Sequence, residues 1–341
     1  MWRRRSAGCL VSSLLLLSCG GPKPAAEVAP PPSASPVLPP AEIHTESSQP
    51  APQPAGDPSL IAGGGAPSGA SSPVLRFTRD LATPESVLYD EMADRYLVSN
   101  INGSPVAADN NGYILELSPE DKTPPRRFIA AGLAGARLDA PKGMAISRGV
   151  LYVADITMVR RFDVRTGASK GDVPIAGAAF LNDVAAAGDG RIYVSDSGLK
   201  MGAKELEPMG GDAVYVLDKD KVRPLVKSKE LAAPNGLLVL DQGLLAVTFR
   251  SNEVYRLDDK GARKSVTALP QAGLDGLLAI GDTLLVSSWA GSAVYRGKLG
   301  GTFEPVLTGL SAPADIAFDS KRQRVLVPRF LDNAVEAYEL K

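Results

Sequence analysis

Short runs of aliphatic residues recur along the chain after about the first seventy residues, and each run begins with the same order of polar and apolar positions. A Pro or Leu comes first, then one variable residue, then a small or acidic residue, and then the aliphatics. The six copies read ATPESVLYD, DAPKGMAIS, AFLNDVAAA, AAPNGLLVL, AGLDGLLAI and SAPADIAFD. Their variable positions are Glu85, Lys142, Asn182, Asn235, Asp275 and Ala314.

The copies are 57, 40, 53, 40 and 39 residues apart, which is a period near forty interrupted by two insertions. Self-similarity at such a period is typical of propellers and solenoids. Within a period, segments such as GVLYVAD and RIYVSDSG are rich in β-formers and are bounded by Gly and Asp turn residues, which predicts four short strands. The Gly and Pro density and the lack of a 3.6-residue periodicity exclude helical repeats.

Six copies of four strands predict an all-β, six-bladed β-propeller with four-stranded antiparallel blades, over residues 74–341. The last copy offers only three strands, DIAFD, RVLVPRF and NAVEAYEL, before the chain stops. A missing outer strand would leave an open sheet edge. The unassigned segment VLRFTRDL at 74–81 resembles the outer strand of the first blade, so we expect it to complete the last blade and close the ring.

The first 18 residues have a basic start and a short apolar run, as in a secretory signal peptide, and the run is too short to cross a bilayer. The following LLSCGG resembles a bacterial lipobox, which implies cleavage before Cys19 and its lipidation, with an ordinary signal peptide as the alternative. By analogy with Gram-negative lipoproteins, Gly20 implies the outer membrane. We therefore expect a location in the cell envelope, with membrane contact through the lipid anchor only.

Residues 19–73 are rich in Pro, Ala, Gly and Ser, a composition that predicts a disordered tether. Both cysteines, Cys9 and Cys19, precede the propeller. Removal of the leader leaves 34 basic against 38 acidic residues, so the domain has no basic footprint for nucleic acid. We expect a monomer.

The first strand of each propeller blade lines the central channel, so the six variable positions should form a ring at one mouth. Four of them, Glu85, Asn182, Asn235 and Asp275, offer oxygen ligands of the kind that Ca²⁺ or Mg²⁺ takes. The sole histidine, His44, lies in the tether, which argues against a zinc site or a histidine-dependent triad. Two long loops, at 100–112 and 196–212, follow second strands and should wall the same face.

Six blades that begin with Glu, Asn, Asn and Asp in that order resemble the SMP-30/gluconolactonase/LRE group of lactone hydrolases. The resemblance implies a divalent cation, expected to be Ca²⁺, on Glu85, Asn235 and Asp275. It also implies that Asn182 orients the substrate or a bound water and that Asp275 serves as the catalytic base. The sequence departs from the family in TPESVLY around Glu85, in Phe180 where lactonases often carry an Arg, and in the additional cation Lys142.

Lys142 and Trp289 are candidate substrate contacts, as are Arg250 and Arg329 on short loops of the same face. Alternatively, Lys142 could form an ion pair with Glu85 and replace the metal. Asn-Gly and Asp-Gly, as in PNG and LDG, are common turn formers, so each copy by itself has a structural interpretation.

Two functions follow from these features. The first is a metal-dependent hydrolase of a sugar lactone or similar small ester, displayed as a lipoprotein. The second is a non-catalytic NHL-like propeller that binds a protein, peptide or glycan.

We expect Asp183 and Asp315, one residue further along the frame, to cap strand backbones.

Overall fold

The computed structural model describes residues 71–203 and 206–340. The predicted leader, the lipidation candidate Cys19 and the predicted tether up to residue 70 lie outside these residues. Within the described ranges, no helix has the length and apolar character needed to span a membrane.

The described residues form 26 β-strands and two short 3-10 helices. The strands, in chain order, are β1 Leu75–Phe77, β2 Pro84–Asp90, β3 Arg95–Asn100, β4 Tyr113–Leu117, β5 Arg126–Ala130, β6 Pro141–Ser147, β7 Val150–Asp155, β8 Met158–Asp163, β9 Ser169–Pro174, β10 Leu181–Ala186, β11 Ile192–Asp196, β12 Leu199–Met201, β13 Leu206–Pro208, β14 Ala213–Asp218, β15 Lys221–Lys227, β16 Pro234–Leu240, β17 Gly243–Thr248, β18 Glu253–Leu257, β19 Arg263–Ala268, β20 Leu274–Ile280, β21 Thr283–Ser288, β22 Ala293–Gly297, β23 Glu304–Thr308, β24 Ala317–Asp319, β25 Arg324–Arg329 and β26 Ala334–Glu339. The 3-10 helices are Lys229–Leu231 and Phe330–Asp332.

The strands form six four-stranded antiparallel sheets, which are the six predicted blades. Their orders are β2-β3-β4-β5, β6-β7-β8-β9, β10-β11-β14-β15, β16-β17-β18-β19, β20-β21-β22-β23 and β24-β25-β26-β1. A separate hairpin, β12-β13, lies in the insertion between the second and third strands of the third blade. The predicted all-β, six-bladed propeller is confirmed.

Burial along the strands follows from the stacking of blades face to face. The second strand of the first blade, RYLVSN in β3, is buried at every position because both of its faces are covered. The outer strand β9, SKGDVP, buries only Val173 and exposes its polar residues. The apolar sequence runs are therefore the inner strands, and the polar ones form the rim of the ring.

Ring closure joins the two ends of the described chain. β1 pairs antiparallel with β26, with Leu75 opposite Ala337 and Phe77 opposite Val335, as predicted, although the strand is shorter than residues 74–81. Buried Glu336 accepts hydrogen bonds from Arg76 of β1 and from Arg329 of β25. The last blade is thus completed by a segment from the start of the domain.

The glycines that follow three ring residues allow the innermost strands to approach closely. A Cβ at Gly236 would lie 2.3 Å from the backbone oxygen of Asp275, and one at Gly276 would lie 2.4 Å from the backbone nitrogen of Ile316. The turn interpretation of PNG and LDG is wrong, because both tripeptides lie within strands, β16 and β20. Glycine is needed here for contact between blades.

We predict that the closing strand depends on Phe77, which is buried between the first and last blades and packs edge-to-face on Tyr96 at 6.1 Å. Phe77→Ala should lower the free energy of unfolding by about 3 to 5 kcal/mol, because it removes a buried aromatic side chain and leaves a cavity. Val74→Ala, at a 45% exposed position next to β1, is the control and should cost well under about 1 kcal/mol. Urea unfolding measures both, and equal costs would contradict closure through β1.

Candidate functional site at the channel mouth

Five of the six ring residues converge on one cavity. Each is the second residue of an innermost strand: Glu85 in β2, Lys142 in β6, Asn182 in β10, Asn235 in β16 and Asp275 in β20. All five are buried and all line a cavity of about 70 Å³. The sixth ring residue, Ala314, is also buried but does not line it.

Side chains near the ends of the second strands hold the loops that lead into the ring. Asn100 accepts from the backbone N–H of Ala82, Asp155 from those of Asp139 and Ala140, and Asp196 from those of Ala179 and Phe180. These acceptors satisfy N–H groups just before Glu85, Lys142 and Asn182, so these three ring residues are held at fixed points near the starts of their strands.

Glu85 and Asp275 each have a buried carboxylate oxygen, Oε2 and Oδ1 respectively, without a hydrogen-bond partner among the described residues. The other oxygen of Asp275, Oδ2, accepts a 2.8 Å hydrogen bond from the indole N–H of Trp289. Buried carboxylate oxygens are rarely left without a partner. The pair therefore marks a position for a proton donor or a cation.

The two ring amides use their nitrogens elsewhere. Asn235 Nδ2 donates to the carbonyl of Leu274 at 3.4 Å, and Asn182 Nδ2 donates to Ser197 Oγ at 3.2 Å. Ser197 in turn donates to the carbonyl of Pro234 at 2.9 Å. Their amide oxygens are then the acceptors that a ligand in the cavity would meet.

Lys142 does not form the predicted alternative ion pair. Its Nζ donates to the carbonyls of Pro105 and Ala140, both at 3.0 Å, and lies 4.5 Å from the ring centroid of Phe180. No ion pair within 4.0 Å joins it to Glu85 in the described part of the chain. Burial lowers the pKa of Lys142, and the carboxylates of Glu85 and Asp155 oppose that shift.

Burial also dominates the electrostatics of the carboxyl groups. It raises the pKa of Glu85 well above its ordinary value, and the nearby charge of Asp275 raises it further. Burial and the charge of Asp315 likewise raise the pKa of Asp275, while the hydrogen bond from Trp289 opposes the shift. The two carboxyl groups are thus close enough to interact, and a bound cation would favour their ionised forms.

Asp183 and Asp315 form a second layer beneath the ring. Asp183 accepts from the backbone N–H of Val184 and, across to the next blade, of Leu237, both in agreement with the predicted capping role. Asp315 instead accepts from the hydroxyl of Ser86 at 2.6 Å, so its predicted bond to a strand backbone is wrong. Burial raises the pKa of Asp315 to about 7.

The donor set fits a hard cation better than a soft one. It consists of two carboxylate oxygens without partners and the oxygens of neighbouring amides, all of the type that Ca²⁺ and Mg²⁺ prefer. The described residues contain no group of three or more His, Cys, Asp or Glu side chains arranged for a metal, so a cation at this position would also need amide oxygens as ligands.

The walls of the cavity are apolar. Both predicted long loops contribute, with Ile101 and Pro105 from the first blade and Leu199 and Leu206 from the β12-β13 insertion of the third. The remaining wall residues are Phe180, Phe249, Trp289 and Phe330. The sequence predicted the two loops and Trp289 as parts of this wall, but not Phe180, Phe249 or Phe330.

A sequence signal for four of the wall residues does exist. Ile101, Phe249, Trp289 and Phe330 each come directly after the second strand of their blade, in VSNI, AVTF, VSSW and VPRF. The signal is incomplete, because Ile156 holds the same position in the second blade and does not line the cavity.

The two arginines predicted as substrate contacts are occupied elsewhere. Arg250 forms an ion pair with Asp212 at 2.6 Å, and Arg329 forms ion pairs with Asp332 at 2.6 Å and Glu336 at 2.9 Å. Neither lines the cavity.

A larger groove, of about 700 Å³, lies on other parts of the third and fourth blades. Asp189 and Asp241, from the turns between first and second strands, line it, and no ring residue does. Since those turns lie at the far ends of the innermost strands from the ring, the groove belongs to the opposite face. None of its carboxylates is buried, so the channel mouth remains the candidate site.

No protein-family model matches the chain, and no curated protein matches it. Solved structures do. A gluconolactonase from Xanthomonas campestris is 21% identical with a TM-score of 0.59, over 77% of this chain and 88% of that one. A protein provisionally named a gluconolactonase is 18% identical with a TM-score of 0.57, over 84% and 97%.

A virginiamycin B lyase from Staphylococcus aureus is 12% identical with a TM-score of 0.53, over 78% of this chain and 98% of that one. The likeness in all three cases is one of fold.

A variant of the lyase with a histidine changed to alanine is catalytically inactive. The only histidine here, His44, precedes the described residues, so the propeller offers no imidazole for such a role.

We predict a pH dependence of stability from Asp315. The folded pKa of about 7 lies above the ordinary value of 3.8, so folding favours the protonated carboxyl of Asp315. The free energy of unfolding that this preference adds is fully present below about pH 4 and is lost as the pH rises to about 7. Asp315→Asn keeps an acceptor for Ser86 but cannot ionise. Between those pH values, the variant should therefore gain up to about 4 kcal/mol relative to the unmodified protein.

Urea unfolding in the presence of a chelator measures this difference. Asp241→Asn, at an exposed carboxylate, is the matched control and should run parallel to the unmodified protein at every pH. If the free energy of unfolding of Asp315→Asn also ran parallel to that of the unmodified protein at every pH, the Asp315 carboxyl would ionise without cost in the folded state, and the prediction would be wrong.

Proposed function

We propose that this chain is a divalent-cation-dependent hydrolase of lactones or small esters. The observation that supports this most directly is the pair of buried, unpartnered oxygens of Glu85 and Asp275 beside Asn235 at the mouth of the channel. The fold shared with a gluconolactonase is consistent with the proposal. The absence of histidine from the propeller narrows the groups available for acid–base chemistry to carboxylates and Lys142.

Glu85, Asn235 and Asp275 would hold the cation, which we take to be Ca²⁺ because all three offer oxygen ligands. When bound, such an ion polarises an ester carbonyl as a Lewis acid. Trp289 fixes the orientation of Asp275 through its 2.8 Å hydrogen bond to Oδ2. That restraint keeps the unpartnered Oδ1 directed at one position.

Asp275 is the group that would accept a proton from the attacking water. Water adds to the carbonyl carbon, the bond from that carbon to the ring or alcohol oxygen breaks, and the leaving oxygen takes up a proton. Hydrolysis then yields a carboxylic acid and an alcohol. Asn182 would orient the water or the substrate through its amide oxygen, since its nitrogen is held by Ser197.

Lys142 would bind the substrate's carbonyl oxygen. Two of the three N–H donors of its ammonium group are used by Pro105 and Ala140, which leaves one for a ligand. The position occupied by an Arg in many lactonases is Phe180 here, and the Lys142 ammonium lies over its ring. We propose that Lys142 supplies the positive charge in place of that Arg.

We further propose that the propeller is displayed at the cell envelope through a lipid on Cys19, with residues 19–73 as the tether. The lipobox-like LLSCGG supports this part of the proposal.

Ca²⁺ should bind to the purified protein and stabilise it, because it occupies a site that exists only in the folded state. At a free Ca²⁺ concentration of one hundred times the dissociation constant, the free energy of unfolding should rise by about 2.7 kcal/mol. Glu85→Gln and Asp275→Asn should each weaken binding at least about tenfold, since each removes a charged ligand. Calorimetric titration and urea unfolding with and without Ca²⁺ measure both effects.

Asp241→Asn is the matched control for binding and should titrate like the unmodified protein. A purified protein whose stability does not respond to Ca²⁺ or Mg²⁺, or an Asp275→Asn variant that responds as fully as Asp241→Asn does, would contradict the cation site.

Lactone or ester hydrolysis should fall by about a hundredfold or more in Asp275→Asn, because the proton acceptor is lost. The rate of acid release at constant pH measures this, again with Asp241→Asn as control. Equal rates in the two variants would leave the alternative of a non-catalytic propeller that binds a protein, peptide or glycan.

A further inference from the structure

Apolar side chains from five blades surround the entrance to the candidate site. Pro105, Leu206, Phe249, Trp289 and Phe330 line the cavity and are all partly exposed. The polar lining residues, in contrast, are the buried ring residues at the cavity floor. A ligand that enters therefore passes an apolar rim before it meets a polar floor.

Three of the rim residues form one aromatic cluster. The ring of Trp289 contacts that of Phe249 edge-on, with centroids 5.6 Å apart, and that of Phe330 at 5.2 Å in a tilted arrangement. The indole N–H of Trp289 is used by Asp275, so its remaining surface is apolar. Through Trp289, the Asp275 carboxylate therefore lies next to an apolar surface that can bind a hydrocarbon group.

The β12-β13 insertion contributes to the apolar wall and also carries exposed methionines and exposed charged residues. It carries Leu199 and Leu206 of the cavity wall, together with Met201 and Met209, whose side chains are 40% and 55% exposed. Few large apolar side chains in the described residues are as exposed as these. Methionines on a surface adapt their shape to apolar ligands.

The cavity volume limits what can enter. At about 70 Å³ it is well below the roughly 300 Å³ at which sites for drug-sized ligands begin. A carbonyl group and a few adjoining atoms fit at the floor, so the rest of a substrate must lie against the rim. Ring hydroxyls of a sugar lactone would lose their water there without gaining hydrogen-bond partners, which is unfavourable.

We propose that the substrates of this site, on the hydrolase function proposed above, are lactones or esters with an apolar acyl or alcohol part, and that sugar lactones are poor substrates. The ester group reaches Lys142 and Asp275, and the apolar part lies on Phe249, Trp289 and Phe330. The family resemblance implies sugar lactones instead, and a comparison of substrates distinguishes the two classes.

Three δ-lactones with the same six-membered ring test the proposal: δ-valerolactone without substituents, δ-decanolactone with a five-carbon tail, and glucono-δ-lactone with hydroxyls. With Ca²⁺ present, kcat/KM for δ-decanolactone should exceed that for δ-valerolactone at least about tenfold, because the tail buries several methylene groups. Glucono-δ-lactone should be the poorest of the three. A preference for glucono-δ-lactone would overturn the proposal while leaving the hydrolase function intact.

Phe249→Ala and Phe330→Ala should each lower the ratio of kcat/KM for δ-decanolactone to that for δ-valerolactone by about fivefold. Val266→Ala, at a 47% exposed apolar residue on the outer strand β19, is the matched control and should leave the ratio unchanged. Unchanged ratios in both Phe variants would overturn the assignment of the tail to this rim.

A binding measurement separates recognition from catalysis. The chain has two tryptophans, Trp2 and Trp289, so in full-length Trp2→Phe protein the fluorescence reports on the cavity rim alone. The lactam analogue of δ-decanolactone, which resists hydrolysis, should shift that fluorescence at lower concentration than the lactam analogue of δ-valerolactone does. If no lactone or ester is hydrolysed but the decanolactone lactam still acts at the lower concentration, the hydrolase function fails and the apolar specificity stands. If the two lactams shift the fluorescence at equal concentrations, the apolar specificity is overturned.

Discussion

The candidate site depends on closure of the ring. Glu85 and Asp275 are 190 residues apart in the chain and meet only because six blades close around one axis. Closure joins the first and last blades through the β1–β26 pair, with buried Glu336 and its two arginines. Backbone hydrogen bonds of Asp315 with Glu85 and Val87 also join the two blades at the axis. Without the β1–β26 pair the last blade would lack its outer strand.

Close approach of the innermost strands then concentrates charge. Glycines after Asn235 and Asp275 let neighbouring backbones come together where a Cβ would collide with them. The same approach brings four carboxyl groups, Glu85, Asp183, Asp275 and Asp315, into a buried region in which Lys142 is the cation that lines the cavity. Burial raises the pKa of all four, so this arrangement costs stability unless protons or a cation compensate it.

The two halves of the site differ in origin. The polar floor comes from the first strands of the blades, whose positions are fixed by backbone pairing. The apolar rim comes from residues that directly follow the second strands and from the β12-β13 insertion, which are free to vary without disturbing the ring. A change in specificity therefore requires only new side chains at the rim, whereas a change in the floor affects the packing of the blades.

Periodicity and strand patterns were enough to predict the blade count, the antiparallel four-stranded blades, the closing strand and the placement of five of the six ring residues at one mouth. These features follow from local strand patterns repeated at a regular interval, which the order of residues encodes directly. The partners of individual side chains could not be predicted in this way. The bonds from Lys142 to two carbonyls, the bond from Trp289 to Asp275 and the apolar rim depend on how distant loops pack, and that is decided only when the ring has formed.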